Sequence, residues 1–161
     1  MSSFKDLRIV DNFYQTSAFF PMPTVLISTI ADDGSTSIGS YSLCFPYYIA
    51  GKDYYAMILE CRNSSNTAQN LLKRGVCALN FIEDSEKAFK QAVKLGFPGE
   101  TSKEKMASCK FVLEKGQCGG ERPLVVQEAY QVFECTWDDT LENASEDRER
   151  VGLLDGIEPP Y

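Results

Sequence analysis

Pro21-Met22-Pro23-Thr24-Val25-Leu26-Ile27-Ser28-Thr29-Ile30, followed by Asp32-Asp33-Gly34 and Thr36-Ser37-Ile38-Gly39-Ser40-Tyr41-Ser42, opens the stretch that decides the fold. It continues through Tyr54-Tyr55-Ala56-Met57-Ile58-Leu59-Glu60-Cys61 into Arg62-Asn63-Ser64-Ser65-Asn66-Thr67. Thr24 to Ile30 is rich in β-branched and aliphatic residues and is bounded by Pro23 and the Asp33-Gly34 turn signal. It reads as the first arm of a hairpin, with Thr36 to Ser42 as the second. Cys44-Phe45-Pro46 and Gly51-Lys52-Asp53 bracket an expected loop. Tyr54 to Cys61 reads as a strand buried on most of its length.

Ser65 to Arg74 predicts a short helix with Ala68, Leu71 and Leu72 on its apolar face. Lys73 and Arg74 suit its last turn, and Gly75 is placed to end it. Val76 to Ile82 is another strand. Ser85 to Leu95 predicts a second helix, with Phe89, Ala92 and Val93 as its apolar stripe and Gly96 as its stop. Pro98 to Ser108 is polar and has room for a further helical turn. Pro123 to Gln127 and Tyr130 to Trp137 look like strands, and the pattern weakens from Asp138. Strands with inserted helices, lacking βαβ alternation and any GxGxxG, point to a mainly β fold: a β-barrel core with short peripheral helices.

The 161 residues suffice for one domain, expected over 1–161, with a core that needs no staples. A net charge of -7 without a block of like charges argues against nucleic acid and anionic membranes as partners. Met1-Ser2-Ser3-Phe4-Lys5 lacks the basic segment and apolar run of a signal peptide, and no run approaches a membrane span, so the cytoplasm is the expected location. There are six cysteines, no CxxC and no histidine. Cys61, Cys77 and Cys135 fall in or beside apolar strand-like runs, where reduced thiols behave as small core residues. Cys44 is likewise expected to be a packed thiol. No metal site is expected from thiolates so scattered.

The absent histidine excludes Ser-His-Asp and Cys-His nucleophilic machinery within this chain. If the chain is an enzyme, its chemistry is therefore expected to belong to a cofactor. Arg62 to Thr67 suggests where one could bind. A helix start carries unpaired N–H donors and about half a positive charge. Ser64, Ser65 and Thr67 add hydroxyls, and Arg62 offers a planar fork for two phosphate oxygens. The competing reading makes Ser64 or Ser65 a plain N-cap and Arg62 a solvated charge. Ser40-Tyr41-Ser42-Leu43-Cys44 could offer backbone donors and apolar contact to a flat heterocycle, or could simply pack Tyr41 into the core.

These segments together resemble the flavin reductase-like family, which has the FMN-binding split-barrel fold and includes flavoredoxin-type members. The resemblance rests on Pro21 to Ile30, the Asp33-Gly34 turn, Ile38 to Ser42, and Arg62 to Thr67 with Asn70. Val76 to Ile82 and Pro123 to Cys135 extend it over most of residues 20–137. It implies FMN, commonly held at a homodimer interface. The phosphate would lie on Arg62, Ser64, Ser65 and Thr67, with Asn63 and Asn70 in the same set. Ser40, Tyr41, Ser42 and Leu43 would approach the isoalloxazine and ribityl portions. Family members pass a hydride from NADH or NADPH to flavin N5, and the reduced flavin serves an acceptor or partner oxygenase. Two departures accompany the resemblance. The Gly-Asp-His motif of many such reductases is missing, and the chain stops at Glu158-Pro159-Pro160-Tyr161, about where relatives continue into their last barrel strands. The alternatives are a protein that holds FMN without turnover, or a flavin-free dimeric split barrel.

Overall fold

The structure is a computed structural model that describes residues 22–47 and 56–137. Its first hairpin follows from the turn chemistry. Asp33 accepts hydrogen bonds from the Ser35 amide at 2.9 Å and the Ser35 hydroxyl at 2.6 Å, and Gly34 takes the φ of 81° that side chains disfavour. This turn joins β1 (Val25–Ile30) to β2 (Thr36–Tyr41) in antiparallel register, from Val25 opposite Tyr41 to Ile30 opposite Thr36. The remaining elements are β3 (Cys44–Tyr47), β4 (Ala56–Leu59), α1 (Asn66–Arg74), β5 (Val76–Ile82), α2 (Glu86–Leu95), α3 (Ser102–Ser108), β6 (Leu113–Glu114), β7 (Val125–Val126) and β8 (Ala129–Thr136). The described chain is thus mainly β with a few helices.

The main sheet has the order β2-β1-β5-β8, every pair antiparallel. All of β1 is buried because both faces of the sheet are covered. On one face Leu26, Ile38 and Ile82 pack with Ala88, Ala92 and Leu95 of α2. On the other, Val25, Ile27, Cys77 and Leu79 pack with Leu71 of α1 and Cys44 of β3. Asn80 crosses this apolar centre with every side-chain polar atom engaged. Its amide donates to the Leu26 carbonyl and the Ser28 hydroxyl, each at 2.9 Å, and its oxygen accepts from the Val126 amide at 2.8 Å.

Several expectations are corrected. Cys44 to Pro46 is strand rather than loop: β3 pairs with β4, Pro46 lying opposite Met57. Among the described residues this ladder has two strands only, so the missing proline N–H falls at an edge, where it is tolerated. For the same reason β4 is only half-buried, not buried along most of its length. In α1 the buried face is Thr67, Ala68, Asn70 and Leu71, while Leu72 is 63% exposed. Asn70 can occupy that face because its amide donates to Thr29 Oγ1 at 3.0 Å. In α2 the face is Ala88, Ala92 and Leu95, leaving Phe89 and Val93 outside. The expected stripe Phe89, Ala92 and Val93 follows i, i+3, i+4, and the buried face Ala88, Ala92 and Leu95 follows i, i+4, i+7; the small Ala88 and Ala92 allow the closer approach to the sheet. Only Val125–Val126 of the Pro123 to Gln127 segment is strand. Tyr54, Tyr55, Gly51 to Asp53, Pro21 and everything from Asp138 onward lie outside the described residues.

Candidate functional site

The start of α1 is built by its own sequence. Ser65 caps the helix, its Oγ accepting from the Ala68 amide at 3.1 Å, so the N-cap reading of this serine is correct. Its hydroxyl also bonds Cys61, which eases the upward push that burial gives the Cys61 thiol. The backbone turns just before the cap, the Ser65 amide bonding the Arg62 carbonyl at 2.8 Å. That turn leaves Arg62, Asn63 and Ser64 exposed ahead of the helix.

Across from this corner runs the end of β2. Ser40, Tyr41, Ser42 and Leu43 face Arg62, Ser64 and Ser65 over one cavity of about 1010 Å³. Glu60 and Cys61 line it at the end of β4, together with Gly39 and Asn66. Seven of the ten residues singled out in the sequence therefore line a single space. Asn63, Thr67 and Asn70 do not. The Asn63 carbonyl is engaged by Gln69 Nε2 at 2.6 Å. Thr67 turns into the sheet, so close to Gly39 that a Cβ there would meet Thr67 Oγ1 at 2.7 Å. Asn70 is spent on Thr29 beneath the helix.

The opposite wall was missed by the sequence reading. It comprises Leu95, Gly96, Pro98, Gly99, Glu100, Thr101 and Lys105, from the end of α2 through the first turn of α3. A signal for it existed in Thr101-x-x-Glu104, a capping box in which the Thr101 amide donates to Glu104 at 2.7 Å and the Glu104 amide to Thr101 at 3.3 Å. Lys105 donates to the Leu95 carbonyl at 3.2 Å, and partial burial lowers its pKa from the ordinary value. The cavity thus has an arginine and a hydroxyl-rich helix start on one side and a half-buried lysine on the other. Tyr41, Leu43, Leu95 and Pro98 supply apolar surface between them.

This donor set fits a phosphorylated, flat, largely apolar ligand. Helix-start amides, Arg62 and Ser64 suit the anion, and the volume lies near the upper end of the roughly 300–1,000 Å³ typical of ligand pockets.

The fold itself is that of flavin reductase-type proteins. The chain superposes on the 2-nitrobenzoate 2-nitroreductase of Pseudomonas fluorescens with a TM-score of 0.62 and 18% identity, over 81% of this chain and 60% of that one. For the styrene monooxygenase flavin reductase of Pseudomonas putida the TM-score is 0.60 at 16% identity, over 80% of this chain and 74% of that one. For flavoredoxin of Methanosarcina acetivorans it is 0.60 at 13% identity, over 84% and 64%. The chain therefore spans less than two thirds of the nitroreductase and of the flavoredoxin. The sequence matches no family model and no curated protein.

Among the described residues no group of three or more cysteine, aspartate or glutamate side chains could hold a metal ion. No helix among them is long and apolar enough to cross a membrane.

Proposed function

We propose that this chain is an FMN-binding flavin reductase of the flavin reductase-like family, taking its hydride from NADH or NADPH. The observation that carries the reading is the convergence of Arg62, Ser64 and Ser65 with Ser40 to Leu43 on one cavity, within a flavin reductase-type fold. In this reading the FMN phosphate is held by Arg62, Ser64 and the first amides of α1. The flavin ring lies against the end of β2. Bound FMN would supply the hydride acceptor, so the missing histidine is no obstacle.

The chain's own part is to bind, orient and shield. Arg62 neutralises phosphate charge through its planar fork. The Ser40 to Leu43 backbone and the Tyr41 and Leu43 side chains fix the ring between polar and apolar contacts. The opposite wall, from Leu95 to Lys105, limits access of water to the same space. Lys105 is placed to meet an acceptor oxygen of the ligand.

The same reading includes the split-barrel architecture, with β1, β2, β5 and β8 as its central strands. It also includes a homodimer with FMN near the interface, an electron acceptor that takes the reduced flavin's electrons, and a cytoplasmic location. Exposed Phe45, Ile58 and Phe133, on strands, are consistent with a second copy packing there. The test is an absorbance spectrum of the purified protein with FMN, repeated after NADH or NADPH is added without air. Flavin absorbance that bleaches on addition supports the reading. A protein that neither takes up FMN nor bleaches it rejects the reading.

A further inference from the structure

The flavin reading leaves one cluster of reactive side chains unused. On the α1 side of the sheet, Cys77 of β5 stands directly opposite Cys135 of β8. Both pack into the apolar cluster of Val25, Ile27 and Leu79, so their sulfurs lie on the same face. The Trp137 amide donates to the Gly75 carbonyl at 2.9 Å at the end of this ladder. Two residues further along, Cys77 and Cys135 fall on the same kind of hydrogen-bonded pair, whose Cα atoms stand about 5.5 Å apart. That separation is near the middle of the roughly 4.4–6.8 Å that a disulfide spans.

The two thiols are chemically unequal. The neighbouring Cys135 thiol and burial push Cys77 up, whereas the neighbouring Cys77 lowers Cys135, whose own Sγ donates to the Phe133 carbonyl at 3.7 Å. The Arg122 guanidinium donates to the Cys135 carbonyl at 2.9 Å, and its charge favours a thiolate at either sulfur. Cys135 is also the less buried of the two. The arrangement is an attacking thiol beside a resolving thiol. Cys44, in the same cluster, is pushed up to about 11 by burial and stays protonated. Cys118 is exposed in the loop before β7, and Cys61 faces the cavity.

We propose that Cys77 and Cys135 are a redox-active pair that closes to a cross-strand disulfide when a hydroperoxide oxidises Cys135. The Cys135 thiolate attacks one peroxide oxygen, the O–O bond breaks, and the departing oxygen leaves as water after taking up a proton. The resulting sulfenic acid is attacked by Cys77. An S–S bond forms, the S–O bond breaks, and the second oxygen leaves as water with the Cys77 proton. Two thiols lose two electrons and hydrogen peroxide gains them. A dithiol reductant reverses the change.

The test uses the reduced 161-residue chain and hydrogen peroxide, with no flavin added, so its outcome is independent of the FMN reading. After treatment the protein is denatured and alkylated, and its peptides are mapped by mass spectrometry. Two of the six thiols should be protected, joined as a Cys77–Cys135 peptide pair that dithiothreitol releases. Cys118→Ser should leave this unchanged and Cys135→Ser should abolish it. Cys77→Ala should instead trap a dimedone-reactive sulfenic acid on Cys135. Six alkylated thiols after treatment of the wild-type chain, or a disulfide mapping to any other pair, overturns the proposal.

Discussion

The Asn66 side-chain amide donates to the Glu100 carbonyl at 2.8 Å, and through this bond the first turn of α1 holds the far wall of the cavity. Neither residue is near the other in the chain, so the cavity exists only once the sheet has brought α1 and the α2–α3 connection together. Asn66→Ala removes the tie without touching the core. A lost hydrogen bond of this kind is worth about 0.5–1.5 kcal/mol, so FMN affinity should fall by up to about tenfold. Isothermal titration of the variant with FMN reads the change, and unaltered affinity would show that the far wall plays no part in binding.

Arg62 is the proposed phosphate grip and lies exposed at the entrance to the helix. Arg62→Ala should weaken FMN binding by about 1.5–3 kcal/mol, the range for hydrogen bonds to charged groups. Its unfolding free energy should stay within about 0.5 kcal/mol of wild type, as for surface changes generally. Equal losses in stability and affinity would instead make Arg62 a structural residue.

Gly39 is the point at which β2 passes beneath α1. A Cβ there would meet Thr67 Oγ1 at 2.7 Å and the Tyr41 ring at 2.8 Å. Gly39→Ala should destabilise the chain by about 1–3 kcal/mol through overpacking, and adding Thr67→Ala should recover part of the loss. Urea denaturation of the single and double variants checks this. A fully tolerated Gly39→Ala would mean that Thr67 is free to turn away.

Asn80 is 0% exposed and satisfies three backbone or side-chain partners on two other strands, β1 and β7. In Asn80→Ala the Val126 amide loses its acceptor within the core, at a cost of about 1–3 kcal/mol for that group alone. The register of β7 against the sheet should loosen with it. Hydrogen exchange at the Val126 amide gives the direct reading, and wild-type protection there would contradict the role assigned to Asn80.

Glu134 accepts from the amides of Gln117 and Cys118 at 2.8 and 2.9 Å, and a Cβ on Gly116 would collide with its carboxylate. The Cys118 amide, chiefly, holds its pKa below the ordinary 4.5. A depressed folded pKa means that the ionised form supports the loop. Its contribution is complete above the unfolded value and disappears as pH falls through the folded one. Amide exchange at Gln117 and Cys118 should therefore quicken below pH 4.5 relative to neighbouring loops, and Glu134→Gln should remove that pH dependence.

What the sequence made legible was local. The Asp33-Gly34 turn set the hairpin register, and Ser65, Ser85, Gly75 and Gly96 marked the ends of α1 and α2, because each acts on its own backbone. What stayed hidden depended on distant partners. Pro46 looks like a breaker until β4 is seen beside it. Leu72 and Leu71 are equally apolar, and only contact with β1 and β3 decides which is buried. Asn70 looked like a ligand residue because its actual partner, Thr29, lies 41 positions away. The candidate site was likewise half visible. Arg62 to Ser65 and Ser40 to Leu43 carry their chemistry in their residue types, whereas Glu100 and Lys105 reach the cavity only through the packing of α2 and α3 on β2.

The central claim is that the α1 corner recognises the phosphate of FMN, and riboflavin, which lacks that phosphate, tests it most directly. Flavin-fluorescence titrations of the wild-type chain and of Arg62→Ala should be run with both ligands. The expected result is tighter binding of FMN than of riboflavin by the wild type, with the difference shrinking in Arg62→Ala while riboflavin affinity hardly changes. Equal affinities of the wild type for the two flavins, or no binding of either, would contradict it.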